Sequence, residues 1–177
     1  MKLLWAPWRV EYIQNADKVK DCILCWKPRT KPDEENLILW LGRHTFAMMN
    51  RYPYNSGHLV IAPRRHIAAV ERLTPAESGE LFALLQQSIK IIKREYEPHG
   101  FNVGLNLGRV AGAGIENHLH VHVVPRWNGD TNFMPVIGQA KVISEHLRAG
   151  YRRLRPHFDK LPRSLLTAHG SLHTANG

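Results

Sequence analysis

Three histidines at every second position, with aliphatic residues between and after them, constrain this chain most strongly: His118-Leu119-His120-Val121-His122-Val123-Val124. In a β-strand the three imidazoles share one face, while Leu119, Val121 and Val123 face a core. The β-branched valines favour the strand, and a helix would scatter the imidazoles around most of its circumference. Each buried imidazole must find partners for two ring nitrogens, so three in register indicate a functional site.

The net charge of the chain limits the classes of partner that it is expected to bind. Its 177 residues suffice for one domain with a substantial core, and its formal net charge of +9 predicts attraction to anions. Solubility, general nucleic-acid affinity or a phosphate-bearing substrate would each account for that charge, but no RNA- or DNA-binding signature is present. The sequence has neither a signal peptide nor an apolar run of about 20 residues. We therefore expect a cytoplasmic protein that binds neither membranes nor nucleic acid.

Two cysteines, Cys22 and Cys25, stand in a Cys-x-x-Cys spacing. In the cytoplasm they would be reduced or metal-bound rather than joined in a structural disulfide. From the residues alone, two buried thiols, a redox dithiol and half of a metal site all remain open. A redox motif usually has a βαβ pattern around it, which this segment lacks. A metal site needs two further ligands, and the 11 histidines of the chain make that feasible.

Hydrophobic alternation predicts the strands of the domain. They span residues 36–41, 45–49, 58–62, 101–107 and 118–124. The fourth strand has Asn102, Gly104 and Asn106 on one face, which leaves room for a ligand against the sheet. A Gly/Ala-rich loop, 108–114, follows it, and the backbone N–H groups of such a loop can approach an anion closely.

Two helices are predicted. Thr74-Pro75-Ala76-Glu77 is a capping box with proline at the first helical position, and the amphipathic helix that it starts ends at about Tyr96. A second helix is predicted from Gln139 to Leu154, and disorder from Ser164 onward. We expect residues 1–137 to form the domain with its N-terminal arm, and residues 138–177 to form the C-terminal helix and a flexible basic tail.

The histidine pattern resembles the signature of the histidine triad (HIT) superfamily of nucleotide hydrolases and transferases, and the resemblance covers roughly residues 5–136. Within it, the chain is similar to the diadenosine tetraphosphate phosphorylase (ATP adenylyltransferase) branch. The similar segments are Leu4-Trp5-Ala6-Pro7-Trp8-Arg9, Asn50-Arg51-Tyr52-Pro53-Tyr54-Asn55-Ser56-Gly57-His58, Asn102-Val103-Gly104-Leu105-Asn106-Leu107-Gly108 and Pro125-Arg126-Trp127-Asn128-Gly129-Asp130. The resemblance implies an α+β HIT fold: a five-stranded antiparallel sheet, a long helix packed on it and a C-terminal helix. It also implies a homodimer or larger homo-oligomer whose subunits join their sheets.

The resemblance implies a catalytic triad of His118, His120 and His122. The middle histidine, His120, would attack the α-phosphate of a nucleotide and carry a transient nucleotidyl group, while a main-chain carbonyl holds its other nitrogen. His122 would hydrogen-bond the phosphate or the bridging oxygen. Asn50 would hold the ribose hydroxyls, and Asn106 would contact phosphate.

The phosphate loop implied by the resemblance comprises Gly112, Ala113, Gly114 and Ile115. Many relatives carry serine or threonine in this turn, which supplies a hydroxyl to the phosphate or the leaving group. Gly114 and Ile115 stand there in this chain, so only backbone N–H groups would serve.

For the cysteines, the resemblance implies structural zinc. Several bacterial relatives bind zinc through a Cys-x-x-Cys, a histidine after the third strand and the first triad histidine. The matching residues are Cys22, Cys25, His66 and His118, a set suited to a closed tetrahedral site. The alternative is a metal-free site in which His118 bonds a main-chain carbonyl. No organic cofactor is expected.

The leading hypothesis is an enzyme that cleaves dinucleoside polyphosphates through a nucleotidyl-His120 intermediate. Its nucleotide partners would be diadenosine polyphosphate, AMP and ATP. Inorganic phosphate would be the acceptor, and such a phosphorolysis of diadenosine tetraphosphate yields ADP and ATP. A hydrolase of such dinucleotides or of nucleoside phosphoramidates would use water instead. A nucleotide-binding sensor with little turnover is the alternative from another class, and an intact His120 speaks against it.

Overall fold

The structure, a computed structural model, describes residues 22–26, 32–130 and 145–165 of the chain. The strands are β1 (Ile38–Leu41), β2 (Thr45–Met49), β3 (Leu59–Pro63), β4 (Gly100–Leu105) and β5 (Val121–Arg126). They form one antiparallel sheet in the order β1-β2-β3-β5-β4. The helices are α1 (Ile23–Trp26), α2 (Pro75–Tyr96) and α3 (Leu147–Phe158). This confirms the predicted α+β fold. The predicted N-terminal arm and the boundary at residue 137 lie outside the described residues.

The long helix α2 has the predicted bounds because both of its ends are specified locally. The Thr74 side chain accepts a hydrogen bond from the Glu77 N–H, and the Glu77 carboxylate accepts one from the Thr74 N–H, which confirms the capping box. Such a cap stabilises a helix by about 1 kcal/mol. At the other end, Glu97 adopts a left-handed conformation with φ of 46°. The apolar stripe of α2 is buried against the sheet through Leu84 and Ile92.

Both faces of the sheet bury apolar residues, because side chains alternate along each strand. One face packs under α2 and α3 and contributes Leu39, Leu59, Val121 and Val123 to the larger core. On the opposite face, which we call the site face, a smaller cluster joins Leu24 of α1 to residues of the first three strands: Ile38, Phe46, Met48, Val60 and Ala62. The sheet therefore holds α1 against the side that faces away from the long helices.

The histidine strand is shorter than predicted. It begins at Val121, so His118 and His120 lie in the segment just before β5 rather than within it. The reason lies in β3, which ends at Pro63, a residue without an N–H for the ladder. The N–H of Leu119 donates instead to the Ile67 carbonyl at 2.6 Å. The prediction that all three histidines belong to one strand is therefore wrong for His118 and His120.

The fourth strand also ends early, at Leu105 rather than Leu107. Asn106 consequently lies just beyond the strand. A short 3₁₀ turn over Arg109–Ala111 follows, flanked by Gly108 at φ 82° and Gly112 at φ 87°. Residues that carry a side chain rarely adopt such positive φ values, so these two positions favour glycine.

The C-terminal helix differs from its predicted range of 139–154, of which residues 139–144 lie outside the described part of the chain. His146 is the N-cap of α3, and its ring accepts a hydrogen bond from the Arg148 N–H, so the helix starts at Leu147. It continues beyond Pro156 to Phe158, because Phe158 is fully buried in the core one helical turn after Leu154. Leu165 is buried as well, so the predicted disorder does not begin at Ser164. The rest of the predicted tail, residues 166–177, is outside the described residues. None of the described helices is both long and apolar enough to cross a bilayer.

Candidate functional site

His120 is held in one tautomer by the backbone. Its Nδ1 lies 2.8 Å from the main-chain carbonyl oxygen of His118. A carbonyl oxygen only accepts, so Nδ1 carries the hydrogen and the lone pair of the neutral ring resides on Nε2. The ring is 6% exposed and packs edge-on against the His122 ring, with centroids 4.9 Å apart. This arrangement orients a nitrogen lone pair within a buried, histidine-rich site.

A chain of hydrogen bonds fixes the third histidine. The Tyr54 N–H donates to Nδ1 of His58 at 3.0 Å, so a neutral His58 carries its hydrogen on Nε2. That Nε2–H donates to Nδ1 of His122 at 3.1 Å. His122 therefore carries its own hydrogen on Nε2, as a donor. The sequence analysis names His58 only as the last residue of a segment similar to the family. The polar and aromatic residues before it in that segment were the available signal.

Two cavities on the site face share His122. The first, which we call the knuckle pocket, has a volume of about 80 Å³ and includes both His120 and His122. The rest of its lining comes from α1, β2, β3 and the loops after β2 and β4: Ile23, Leu24, Met48, Met49, Asn50, Arg51, Tyr52, Val60, Gly114 and Ile115. It combines apolar side chains with polar groups near the histidines, as small-molecule sites do.

The second cavity, which we call the β4 groove, measures about 390 Å³ and lies on the other side of His122. Its other lining residues come from β4, β5 and their flanking loops: Tyr54, Asn55, Asn102, Val103, Gly104, Asn106, Val124 and Arg126. The two cavities have one lining residue in common, His122.

Five of the seven predicted substrate-binding residues line one or both of the two cavities. Asn50, Gly114 and Ile115 line the knuckle pocket with His122. Asn106 lines the β4 groove, and its amide donates to the Gly112 carbonyl at 3.3 Å. Gly112 and Ala113 line neither of these two cavities.

The four predicted metal ligands converge. The donor atoms of Cys22, Cys25, His66 and His118 all lie within 4.8 Å of one another. Nδ1 of His118 lies 3.3 Å from each sulfur, and Nδ1 of His66 lies 3.0 Å from the Cys25 sulfur. Sulfur and nitrogen ligands of a tetrahedral zinc ion stand roughly 3.5 Å apart. The donor set and its spacing therefore fit a metal ion such as zinc.

His118 is prepared to act as such a ligand. Its Nε2 donates to the Pro63 carbonyl at 2.8 Å, which leaves Nδ1 as the nitrogen with the lone pair toward the cysteines. Burial lowers the pKa of His118 and so favours the neutral form that binds metal. The carbonyl bond that we weighed as the metal-free alternative is present, but it is made by the opposite nitrogen. The two arrangements are compatible.

The metal cluster and the knuckle pocket share parts. The one-turn helix α1 begins directly after Cys22, contains Cys25 and supplies Ile23 and Leu24 to the pocket wall. On the other side, His118 contributes its ring to the cluster and its carbonyl oxygen to His120. The geometry of the cluster therefore bears on both the wall and the histidine of the pocket.

Arg126 is engaged by an acidic residue that the sequence interpretation did not assign. Nε and one terminal nitrogen of Arg126 donate to the two carboxylate oxygens of Asp130, at 2.5 and 2.8 Å. This pairing holds the pKa of Asp130 well below its usual range. Asn55, which is buried, also donates to Asp130, at 2.8 Å. The Arg126 guanidinium is thus held in one orientation by Asp130, although the side chain is 44% exposed.

Comparisons with known proteins agree with this geometry. The sequence model of the HIT domain family matches residues 33–129. An AP-4-A phosphorylase of Mycobacterium tuberculosis is 43% identical over 169 residues, which cover 92% of this chain and 87% of the relative. A bis(5'-adenosyl)-triphosphatase of Saccharomyces cerevisiae is 33% identical over 91 residues, or 51% of this chain and 44% of that protein.

Solved structures support the fold. A HIT family protein from Bacillus subtilis matches with a TM-score of 0.56 at 22% identity, over 89% of this chain and 99% of that one. A zinc-bound histidine triad family protein from Mycobacterium smegmatis has a TM-score of 0.56 at 18% identity, over 84% and 92% of the two chains. The family match covers more than half of the sequence, and the mycobacterial relative is similar along most of it. The chain is a member of the HIT domain family.

Proposed function

We propose that this chain is an enzyme that cleaves dinucleoside polyphosphates, such as diadenosine tetraphosphate, by phosphorolysis. The observation that carries the proposal is the fixed tautomer of His120, whose Nε2 lone pair lies in a pocket beside the donor His122. The name of the mycobacterial relative, an AP-4-A phosphorylase at 43% identity, supports the choice of substrate and acceptor.

In the first step, Nε2 of His120 attacks the α-phosphorus and forms a P–N bond. The bond from phosphorus to the bridging oxygen breaks, and its electrons leave with the nucleoside polyphosphate, which is ATP when the substrate is diadenosine tetraphosphate. The Nε2–H of His122 donates to the departing oxygen or to a phosphate oxygen. Neutral imidazole is a competent nucleophile near pH 7, because its ordinary pKa of about 6.5 leaves it mostly unprotonated.

The knuckle pocket would hold the nucleoside of the transferred group. Ile23, Leu24 and Val60 give the base an apolar floor, and Asn50 lies beside them to receive the ribose hydroxyls. The Asn50 carbonyl oxygen accepts from the Tyr52 N–H at 2.9 Å, which orients the amide. Backbone N–H groups near Gly114 would serve the α-phosphate.

In the second step, an oxygen of inorganic phosphate attacks the same phosphorus. The P–N bond breaks, its electrons return to His120, and ADP is released. Water in place of phosphate would give AMP. That hydrolase is the second candidate, favoured by the similarity to the yeast triphosphatase over about half of this chain.

We propose zinc as the ion of the cysteine cluster, because two thiolates and two imidazoles are its usual structural ligands. A bound zinc ion would supply folding free energy and hold α1 against the sheet. The catalytic steps use the histidines alone. The zinc-bound state of the Mycobacterium smegmatis neighbour is in keeping with this choice.

We also propose a homodimer formed through β4. This strand ends the described sheet, and its apolar side chains Val103 and Leu105 are 44% and 41% exposed. An edge strand with exposed apolar residues is suited to pairing with a second copy. A cytoplasmic location remains a prediction from the sequence.

The acceptor is tested with diadenosine tetraphosphate and labelled inorganic phosphate. Phosphorolysis yields ATP and ADP, with the label in the β-position of ADP. The same reaction with His120→Asn should give no product. Accumulation of AMP at a rate independent of phosphate would replace the phosphorylase with the hydrolase.

A further inference from the structure

The β4 groove is built to leave space beside His122. In the ladder between β4 and β5, Gly104 pairs with His122 and Asn102 pairs with Val124, so these residues share the site face. A Cβ added to Gly104 would meet nothing within 4 Å. Gly104 also lacks the positive φ of the loop glycines. Neither packing nor backbone conformation thus requires glycine here, and its effect is to deepen the groove.

A fixed chain of side chains orients an amide in this groove. A terminal nitrogen of Arg126 donates to Oδ1 of Asn102 at 2.6 Å. Arginine has no acceptor, so Asn102 must turn its oxygen toward Arg126 and its NH₂ group away from it. Arg126 is itself held by both oxygens of Asp130, and Asn55 holds Asp130 in turn. The orientation of the Asn102 NH₂ group is therefore fixed before a ligand binds.

The groove has the chemistry of an anion site. Its described lining includes the amides of Asn102 and Asn106 and the guanidinium of Arg126, and none of the lining residues is a carboxylate. Asp130 stands behind the lining and neutralises the guanidinium, so affinity would come mainly from oriented N–H donors. The β4 groove adjoins His122. The α-phosphate of a bound substrate would lie at His122, and the next phosphate groups of the chain would lie in the groove.

We propose that the β4 groove binds the phosphate groups beyond the α-phosphate, and that Asn102 is an anion-binding residue positioned by Arg126. The proposal deepens the proposed function and rests on it. Two ligands would bring phosphate groups to this groove: the departing polyphosphate in the first step and inorganic phosphate in the second. Both occupy the space next to the phosphorus that His120 holds, so one set of donors serves both.

The first arm of the test measures affinity for AMP and for intact diadenosine tetraphosphate in a His120→Asn background, which prevents turnover. Adding Asn102→Ala should weaken dinucleotide binding about tenfold, as expected for a lost hydrogen bond to a charged group, and leave AMP binding within twofold. Asn102→Asp should weaken the dinucleotide further, because a carboxylate repels phosphate. Gln86→Ala, an exposed amide on α2, is the matched control and should change neither. Equal losses for both ligands, or no loss for either, would overturn the proposal.

The second arm uses the active protein and the acceptor. Asn102→Ala should raise the KM for inorganic phosphate several-fold and shift products from ADP toward AMP. An unchanged KM for phosphate would overturn the assignment of the acceptor to this groove. Failure of the proposed function looks different: the unaltered protein would then cleave no dinucleotide, or would release AMP at a rate independent of phosphate, whatever the residue at position 102.

The positioning role of Arg126 is tested by a double-mutant cycle on dinucleotide affinity. Arg126→Lys keeps the charge but loses the two-point pairing with Asp130. If Arg126 acts through Asn102, Arg126→Lys should weaken binding alone but add little in the Asn102→Ala background. Full additivity of the two losses would show that Arg126 does not act through Asn102.

Discussion

The main-chain carbonyl of His118 accepts a hydrogen bond from Nδ1 of His120 at 2.8 Å, while the His118 ring lies among the cysteines. One residue thus serves two neighbouring sites: its side chain belongs to the metal cluster, and its backbone fixes the tautomer of the proposed nucleophile. Because the two functions belong to one residue, displacing the ring should also disturb the orientation of His120.

Replacing the proposed nucleophile should separate binding from chemistry. His120→Asn and His120→Gly should reduce turnover by at least three orders of magnitude, since the covalent route is lost. AMP affinity and melting temperature should change little. Steady-state kinetics and calorimetry check this. A His120→Gly protein with a tenth of the original rate would show that another group attacks phosphorus.

Protein purified without chelators should contain about one zinc ion per chain. Cys22→Ser should then lower the melting temperature by roughly 5–10 °C, because structural zinc contributes folding free energy. A chelator should destabilise the unaltered protein but have little further effect on Cys22→Ser. Metal-free protein, together with a Cys22→Ser variant that melts at the original temperature, would leave the cluster as two thiols beside two imidazoles.

Removal of the metal should also weaken nucleotide binding. Ile23 and Leu24 lie between the two cysteines and line the knuckle pocket, so release of α1 would remove one wall. In the His120→Asn background, AMP affinity should fall about tenfold without zinc and recover when zinc is restored. Fluorescence or calorimetric titration measures this without turnover. Identical AMP affinities with and without zinc would show that α1 keeps its position in the pocket wall without the metal.

The sequence predicted the elements whose signals are local. The capping box fixed the start of α2, and alternation gave the strands to within about two residues, except at the start of β5. The bounds of the histidine strand depended on a distant partner: Pro63, at the end of β3, stops the ladder before His120. The resemblance to a family, rather than residue spacing, supplied the metal ligands. Neither the link from His58 to His122 nor the fixation of Arg126 by Asp130 was predicted, because each depends on three-dimensional orientation.

Stability should depend on pH through Glu77. Its hydrogen bond with Arg65 lowers the pKa of Glu77 from 4.5 to about 2. The ionised carboxylate is therefore more favourable in the folded protein than in the unfolded chain, and its stabilisation is fully present above pH 4.5. The contribution is lost as the pH falls toward 2.

The check compares Glu77→Gln with the unaltered protein. The variant should unfold more easily at pH 7, by about 1 kcal/mol or more, because it loses the ion pair with Arg65 and keeps only a neutral acceptor in the capping box. The difference should shrink between pH 4.5 and pH 2. Glu71→Gln, at an exposed position, is the control. A constant difference across this range would rule out the ionised carboxylate as its source.

The central claim, a nucleotidyl group carried by His120, is tested most directly by mass spectrometry of the protein itself. The protein is mixed with diadenosine tetraphosphate in the absence of phosphate, quenched within one turnover and digested. The account predicts an adenylyl adduct on the peptide that contains His120, lost when phosphate is added and absent from His120→Asn. Cleavage of the dinucleotide with no adduct at any quench time, or an adduct on a different residue, would contradict it.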